Sequence, residues 1–319
     1  MMRVRKGMSS KMSNQSKVDV VIPTYHPDEK FEELLRRLGK QSYPVHHIYV
    51  IDTRSDHFPE EVEQMPGVTV HRILPEEFDH GATRDLGLSM SDADVVVFMT
   101  QDAVPANTRL IEALVRPLEE HEKVSVSYAR QLPARDCDFI ERYTRTFNYP
   151  GESRIKGKED LPELGIKTYF CSDVCAAYRR KVYLELGGFT KKTIFNEDMI
   201  MAAQMVQHGY SVAYAADAQV IHSHNYSGIQ QFHRNFDLAV SQVDHPEVFE
   251  GIRSESEGIR LVKQTALHLI RSKKPYLIPC LVYKSGCKYL GYKLGQKYKK
   301  LPLWLVRFCS MSTTYWENP

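Results

Sequence analysis

Much can be ruled out by what the 319 residues lack. No apolar run approaches the ~18 residues that a membrane-spanning helix needs; the longest, "PYLIPCLVY" (275–283), has nine residues, two of them proline. No GxGxxG follows the first strand-like run and no GxxxxGK[ST] occurs anywhere, so the dinucleotide fingerprint and the P-loop are both missing. The six cysteines, Cys137, Cys171, Cys175, Cys280, Cys287 and Cys309, form no pair of pairs at zinc-ribbon spacing. A chain of this length also needs no disulfide framework, so reduced, cytosolic thiols are expected. Residues 1–17 are basic and polar without an apolar core, so they read as a disordered leader, not a secretory signal.

Acid is missing from one region. Residues 258–316 hold twelve Lys/Arg and no Asp or Glu. The net charge of +2 therefore hides a body with 30 basic and 40 acidic residues. Within that tail, Lys284, Lys288, Lys293, Lys297 and Lys299 interleave with Tyr283, Tyr289, Tyr292 and Tyr298. Basic, aromatic-rich amphipathic helices lie in anionic membrane interfaces. The competing reading is a helical cap with a solvated basic face. No nucleic-acid-binding motif accompanies the charge, so a nucleic-acid partner is not expected.

What is present reads as an α/β domain. "VDVVIPTY" (18–25) is apolar without alternation, the pattern of a strand buried on both faces. "PDEKFEELLRRLGKQ" follows with Phe31, Leu34, Leu35 and Leu38 at helical spacing. "HHIYVIDT", "GVTVHRIL" and "ADVVVFMTQDA" give further strands, and "ATRDLGLSMS" and "TRLIEALVRPLEE" further helices. The alternation predicts an open, mostly parallel sheet over 18–130, flanked by helices. Residues 131–171 look irregular. "NEDMIMAAQMVQHGY" and "GIQQFHRNFDLAVSQ" read as helices, and "SVAYAADAQVIHSH" as short strands. The expected layout is a domain over 18–250, with a nucleotide-binding half (18–130) and an acceptor half (131–250), followed by a basic helical region over 251–319.

In such sheets ligands bind beyond the carboxyl ends of the strands, which here carry Thr24, Asp52 and Asp102. A lone Asp at a strand end is also a common turn former. Glu197 and Asp198 follow Asn196, a good N-cap residue, and acids in a first turn favour the helix dipole whatever else they do. An H-x-H on a strand puts His222 and His224 on one face, where they either hold a metal with nearby carboxylates or pack under a loop.

"VVIPTY", "VIDTRSD", "TQDAVP", "GGF…NED" and "VIHSHNYS" occur in an order and spacing that resemble the GT-A glycosyltransferases of family 2. "FDHGATRD", "YARQLP", "FNYP", "CAAYRR" and "HSHNYS" are similar to the bacterial rhamnosyltransferases of that family. The resemblance spans residues 17–250, and "KYLGYKLGQKY" in the tail fits the same subgroup. It implies that Pro23, Thr24 and Tyr25 border the nucleotide, that Asp52 meets its base, and that Arg84 and Asp85 lie near the diphosphate or ribose. It also implies Asp198 as catalytic base beside Glu197. Gln101-Asp102-Ala103 stands where the family has DxD, leaving Asp102 as the one metal-binding acid, with His222 or His224 as the histidine ligand to Mg²⁺ or Mn²⁺. The implied reaction is inverting transfer of L-rhamnose from dTDP-β-L-rhamnose to a lipid-linked glycan at the cytoplasmic membrane face. The rival readings are another donor sugar (glucose, galactose or galactofuranose) and a non-catalytic sugar-nucleotide binder; a homodimer stays open.

Overall fold

The apolar run at 18–24 forms β1 (Val18–Thr24), and both its faces are covered. Val18, Val20 and Ile22 pack into one core with Phe31, Leu34 and Leu114, and Val21 into a second with Leu88, Phe98 and Tyr178. The computed structural model describes residues 15–56, 58–251 and 255–317; of the leader expected over 1–17, residues 1–14 lie outside the described residues.

After β1 come α1 (Glu29–Leu38), β2 (His47–Asp52), β3 (Val68–Arg72), α2 (His80–Ser89), β4 (Val95–Met99), β5 (Val104–Pro105), α3 (Leu110–Glu120) and β6 (Val124–Leu132). The second half holds α4 (Phe139–Asn148), β7 (Arg154–Lys156), α5 (Leu161–Leu164), β8 (Cys175–Arg179), α6 (Arg180–Glu185), α7 (Glu197–Gln207) and β9 (Ser211–Ile221). The chain ends with α8 (Gly228–Asp244), α9 (Pro246–Phe249), α10 (Glu255–Arg271), α11 (Ile278–Gly295) and α12 (Leu303–Cys309).

The strands make one sheet in the order β3-β2-β1-β4-β8-β6-β9-β5, with β7 also on β9. β1 is parallel to β2 and β4, and β2 to β3. β8 is antiparallel to both its neighbours, β4 and β6, and β6 is parallel to β9. The two reversals cancel, so β1–β4, β6 and β9 all point the same way. The carboxyl ends of β1, β2, β4, β6 and β9 therefore open on one edge, which brings residues from both halves of the chain to one site.

Three local readings change. The "irregular" 131–171 segment contains α4, a helix rich in aromatic and threonine residues that have modest helix propensity. Packing supplies the rest, with the His268 ring stacked 5.4 Å from Phe139 and 4.2 Å from Tyr143. The "short strands" of 211–224 are one strand, β9, whose register against β6 shifts between Ala129 and Arg130. That shift breaks the sequence pattern without ending the strand. β9 stops at Ile221, so His222 and His224 sit in the loop beyond it, although the His222 N–H still donates to the Leu132 carbonyl at 2.9 Å.

The tail packs on the body along α8. A Cβ added to Gly291 would lie 2.2 Å from the Phe232 carbonyl oxygen, and one on Gly295 2.4 Å from that of Phe236. The two glycines thus let α11 and α8 touch backbone to backbone. Gly291→Ala is expected to cost about 1–3 kcal/mol through overpacking, read as a lower urea midpoint; an unchanged midpoint would contradict this close crossing.

Candidate active site

The loops after β4 and β9 bring Asp102, His222 and His224 together. Asp102 Oδ2 lies 3.4 Å from Nε2 of each histidine, and the two Nε2 atoms are 3.0 Å apart. One ligand atom from each residue falls within 4.8 Å of the others. Metal–ligand bonds of about 2.1 Å set near right angles place neighbouring ligand atoms roughly 3 Å apart, so the trio fits one face of a divalent cation's coordination shell. Two imidazoles and a carboxylate are also a donor set that leaves further positions open. Both histidines are kept neutral, the form that binds metal: burial pushes His222 down to about 3 and lowers His224, with the Asp102 charge opposing in each case. Burial works against the charge of Asp102, but His222 and His224 hold its carboxyl below the usual range. The second histidine offers a third donor atom beside Asp102, where the DxD pattern would place a second acid.

α7 presents the other half. Asn196 does precede it, but in the left-handed conformation (φ 67°) and with no side-chain cap bond. Asparagine is used here for its tolerance of αL. The turn delivers Glu197 and Asp198 in the first helical turn. Asp198 accepts from the Met199 N–H at 2.7 Å and the Asp173 N–H at 3.2 Å. Burial, then the charges of Glu197 and Asp173, raise its carboxyl well above the usual range. Arg84 stands behind them. Its Nη1 is 3.2 Å from Glu197 Oε1 and its Nε 3.7 Å from Asp173 Oδ2, all deeply buried. Burial pushes the Asp173 carboxyl up to about 7 although Arg84 opposes.

Two clefts meet at this point. One, of about 730 Å³, is lined by Asp102, His222, His224, Arg145, Tyr149 and Tyr226 among others. The second, of about 680 Å³, is lined by Tyr25, Thr53, Phe78, His80, Arg84 and Met311 among others. Asp198, Asn196, Thr100, Ser172 and Arg234 line both.

The remaining expected residues fall in different places. Asp52 is fully buried and accepts from Thr24 Oγ1 at 3.0 Å and Ser55 Oγ at 2.7 Å, tying the ends of β1 and β2. Pro23 lies within β1, opposite Ile51. Tyr25, at the tip of β1, is exposed; its N–H donates to Gln101 Oε1 at 2.8 Å while Gln101 Nε2 donates to its carbonyl at 3.0 Å. Arg84 and Asp85 differ: Arg84 lines the second cleft and Asp85 does not. Arg84 is consumed by the buried acids and by the His80 carbonyl, to which it donates at 2.7 Å. Asp85 lines neither cleft; it accepts from Tyr183 Oη and from the Phe189 N–H, beside the Gly187-Gly188 turn.

Arg234 was not singled out in the sequence. Its guanidinium lies 4.6 Å from the Phe195 ring and 5.7 Å from Tyr226, and it pairs with no carboxylate among the described residues. Nothing in a single sequence separates it from Arg142 or Arg145. Asp173 was equally silent: besides Tyr178 Oη on β8, which donates to it at 2.7 Å, its partners come from α2 and α7.

Residues 19–187 match the model of the family described as glycosyl transferase family 2. The chain belongs to that family. This glycosyltransferase is 38% identical over 307 residues to the O-antigen chain rhamnosyltransferase RfbN of Salmonella typhimurium, covering 95% of this chain and 96% of that one. It is 39% identical over 304 residues to the O-antigen chain rhamnosyltransferase WbaN of Salmonella anatum, covering 94% and 95%. Among solved structures, the transferase is similar to the mannosyltransferase PcManGT of Pyrobaculum calidifontis in complex with GDP-Man and Mn²⁺, with TM-score 0.56 and 18% identity over 96% of this chain and 86% of that one. It is also similar to S. aureus TarS, with TM-score 0.52 and 16% identity over 89% and 91%. These two likenesses bear on the fold alone.

Proposed function

We propose that this glycosyltransferase moves L-rhamnose from dTDP-β-L-rhamnose to a lipid-linked polysaccharide acceptor, inverting the anomeric centre. Asp198 at the junction of two clefts, one of them holding the Asp102–His222–His224 cluster, is the observation that carries the mechanism. Rhamnose as the sugar draws support from the two rhamnosyltransferase relatives, which align over nearly their whole length.

The residues divide the work. Asp102, His222 and His224 would hold a divalent cation, which would supply charge neutralisation for the leaving diphosphate. Two imidazoles favour Mn²⁺ over Mg²⁺, which prefers oxygen ligands. Arg234, which lines both clefts and pairs with no carboxylate among the described residues, adds fixed positive charge at the same place; Arg84 is instead tied to Glu197 and Asp173. Tyr25, Thr24 and Asp52 shape the nucleoside side at the ends of β1 and β2. Asp198 takes the proton of the acceptor hydroxyl as its oxygen bonds to C1. The C1–O bond to the diphosphate breaks on the opposite face, so one displacement gives inversion and needs no covalent intermediate.

The direct test offers dTDP-β-L-rhamnose, UDP-glucose and UDP-galactose in parallel, with and without EDTA. Turnover is expected with the dTDP sugar alone, abolished by EDTA and restored by Mn²⁺. Equal turnover of a UDP-hexose sinks the rhamnose assignment, and binding without turnover of any donor supports the non-catalytic alternative.

The tail is proposed to rest on the anionic inner face of the membrane. Among the described residues no helix is long and apolar enough to cross a bilayer. α12 nevertheless exposes Trp304 (70%) and Phe308 (71%) one turn apart, and α11 exposes Tyr289 and Leu290 amid its lysines. The double substitution Trp304→Glu/Phe308→Glu is expected to cut flotation with phosphatidylglycerol vesicles at least tenfold, and undiminished flotation removes this surface from the membrane contact.

A further inference from the structure

The motif "YARQLP" ends β6, and its glutamine has no part in the roles above. Gln131 is only 3% exposed, and both ends of its amide are engaged. Oε1 accepts from Arg145 Nη1 and lies 3.0 Å from His222 Nδ1, while Nε2 donates to Ser172 Oγ at 3.0 Å. An arginine can only donate, so the amide atom it meets is the oxygen, and an amide oxygen can only accept. His222 Nδ1 must then carry its proton toward Gln131. A neutral imidazole has one N–H, so Nε2 is left with its lone pair, aimed at Asp102 Oδ2 and His224 Nε2.

We propose that Gln131, held by Arg145 and Ser172, is a positioning residue that locks His222 in the Nδ1–H tautomer and so presents Nε2 to a divalent cation. A partner on the far ring nitrogen commonly orients a metal-binding histidine and raises its basicity; here a neutral amide takes that part, itself oriented by Arg145. The same amide reaches the other half of the site. Ser172 lines both clefts, and the next residue, Asp173, donates its N–H to Asp198. Gln131 thus joins the metal side to the loop that seats the proposed base.

The inference rests on the metal reading above, and two measurements keep their failures apart. Long-range ¹H–¹⁵N spectra of the full-length, metal-free protein report the His222 tautomer, assigned by loss of the signal in His222→Ala. Nδ1–H is expected in the wild type, and Nε2–H there overturns the proposal without any reference to metal. Mn²⁺ binding is then followed by the free-ion electron paramagnetic resonance signal. Gln131→Met keeps the volume and removes the acceptor; it is expected to weaken Mn²⁺ by about 10–100-fold and to release His222 to Nε2–H. Gln131→Glu keeps an acceptor and is expected to hold the tautomer and bind within about threefold of wild type. Wild-type Mn²⁺ affinity in Gln131→Met, or equal loss in Gln131→Glu, overturns the proposal. Unchanged Mn²⁺ affinity in His222→Ala overturns the metal reading instead.

Discussion

Asp198→Asn is expected to lower kcat by about 10²–10⁴-fold, the usual contribution of a positioned general base, with donor KM little changed. The side chain keeps its shape. One of the two backbone N–H groups that it accepts, from Asp173 and Met199, still finds an oxygen. Loss of the buried carboxylate next to Glu197 and Asp173 also relieves like-charge repulsion, so the melting temperature should hold. Near wild-type transfer by a folded variant would remove Asp198 from the chemistry. The pH profile adds a second check. Burial and then the charges of Glu197 and Asp173 raise the Asp198 carboxyl well above its ordinary range. The base works only when deprotonated, so kcat/KM should climb with pH along a limb displaced upward from the usual carboxylate region. Glu197→Gln removes one of the charges that raise it and frees Arg84 to act on Asp198, so this limb should move to lower pH. A limb that stays in place in Glu197→Gln contradicts the electrostatic account.

The first half of the sheet was legible because β1 and β4 are apolar on both faces and α1 and α3 carry one apolar face each. β6 is missing from the strands read above, although "VSVSYARQL" alternates valine with serine, the pattern of a half-buried strand. What the pattern does not show is that the serine face is covered as well: Ser125 and Ser127 are buried, with hydroxyls that meet no partner among the described residues. The Asp102–His222–His224 cluster was legible because each member sits at a strand end or just past one, and strand ends in such sheets share an edge. That both histidines face Asp102 follows from the loop after β9, which spacing does not encode. The sequence placed Arg84 and Asp85 as neighbours in one motif. On α2 they point apart, Arg84 into the acid cluster and Asp85 toward Tyr183 and Phe189. Adjacent helical residues do not share a face, and only the contact of Arg84 with Glu197 on α7 shows which of them looks inward.

That placement makes Arg84→Met the variant with the largest expected effect on stability. The substitution leaves Glu197, Asp173 and Asp198 buried together with no cation. Breaking a buried pair by deleting one partner costs about 3–5 kcal/mol, because the remaining charge is uncompensated. The loss should depend on pH, and the sign follows from linkage. The folded-state carboxyl of Asp173 is raised, to about 7 even with Arg84 present, and Asp198 is raised as well. An acid raised on folding gives stability that is fully present below its unfolded value and is lost as pH rises through the folded one. Without Arg84 those values climb further, so Arg84→Met should be close to wild type near pH 4 and fall behind it steadily toward pH 8. Urea unfolding at the two pH values measures the gap. An arginine that met the donor diphosphate instead would, when replaced, raise donor KM at unchanged stability, and that pair of results would move Arg84 out of the acid cluster's support and back to the substrate.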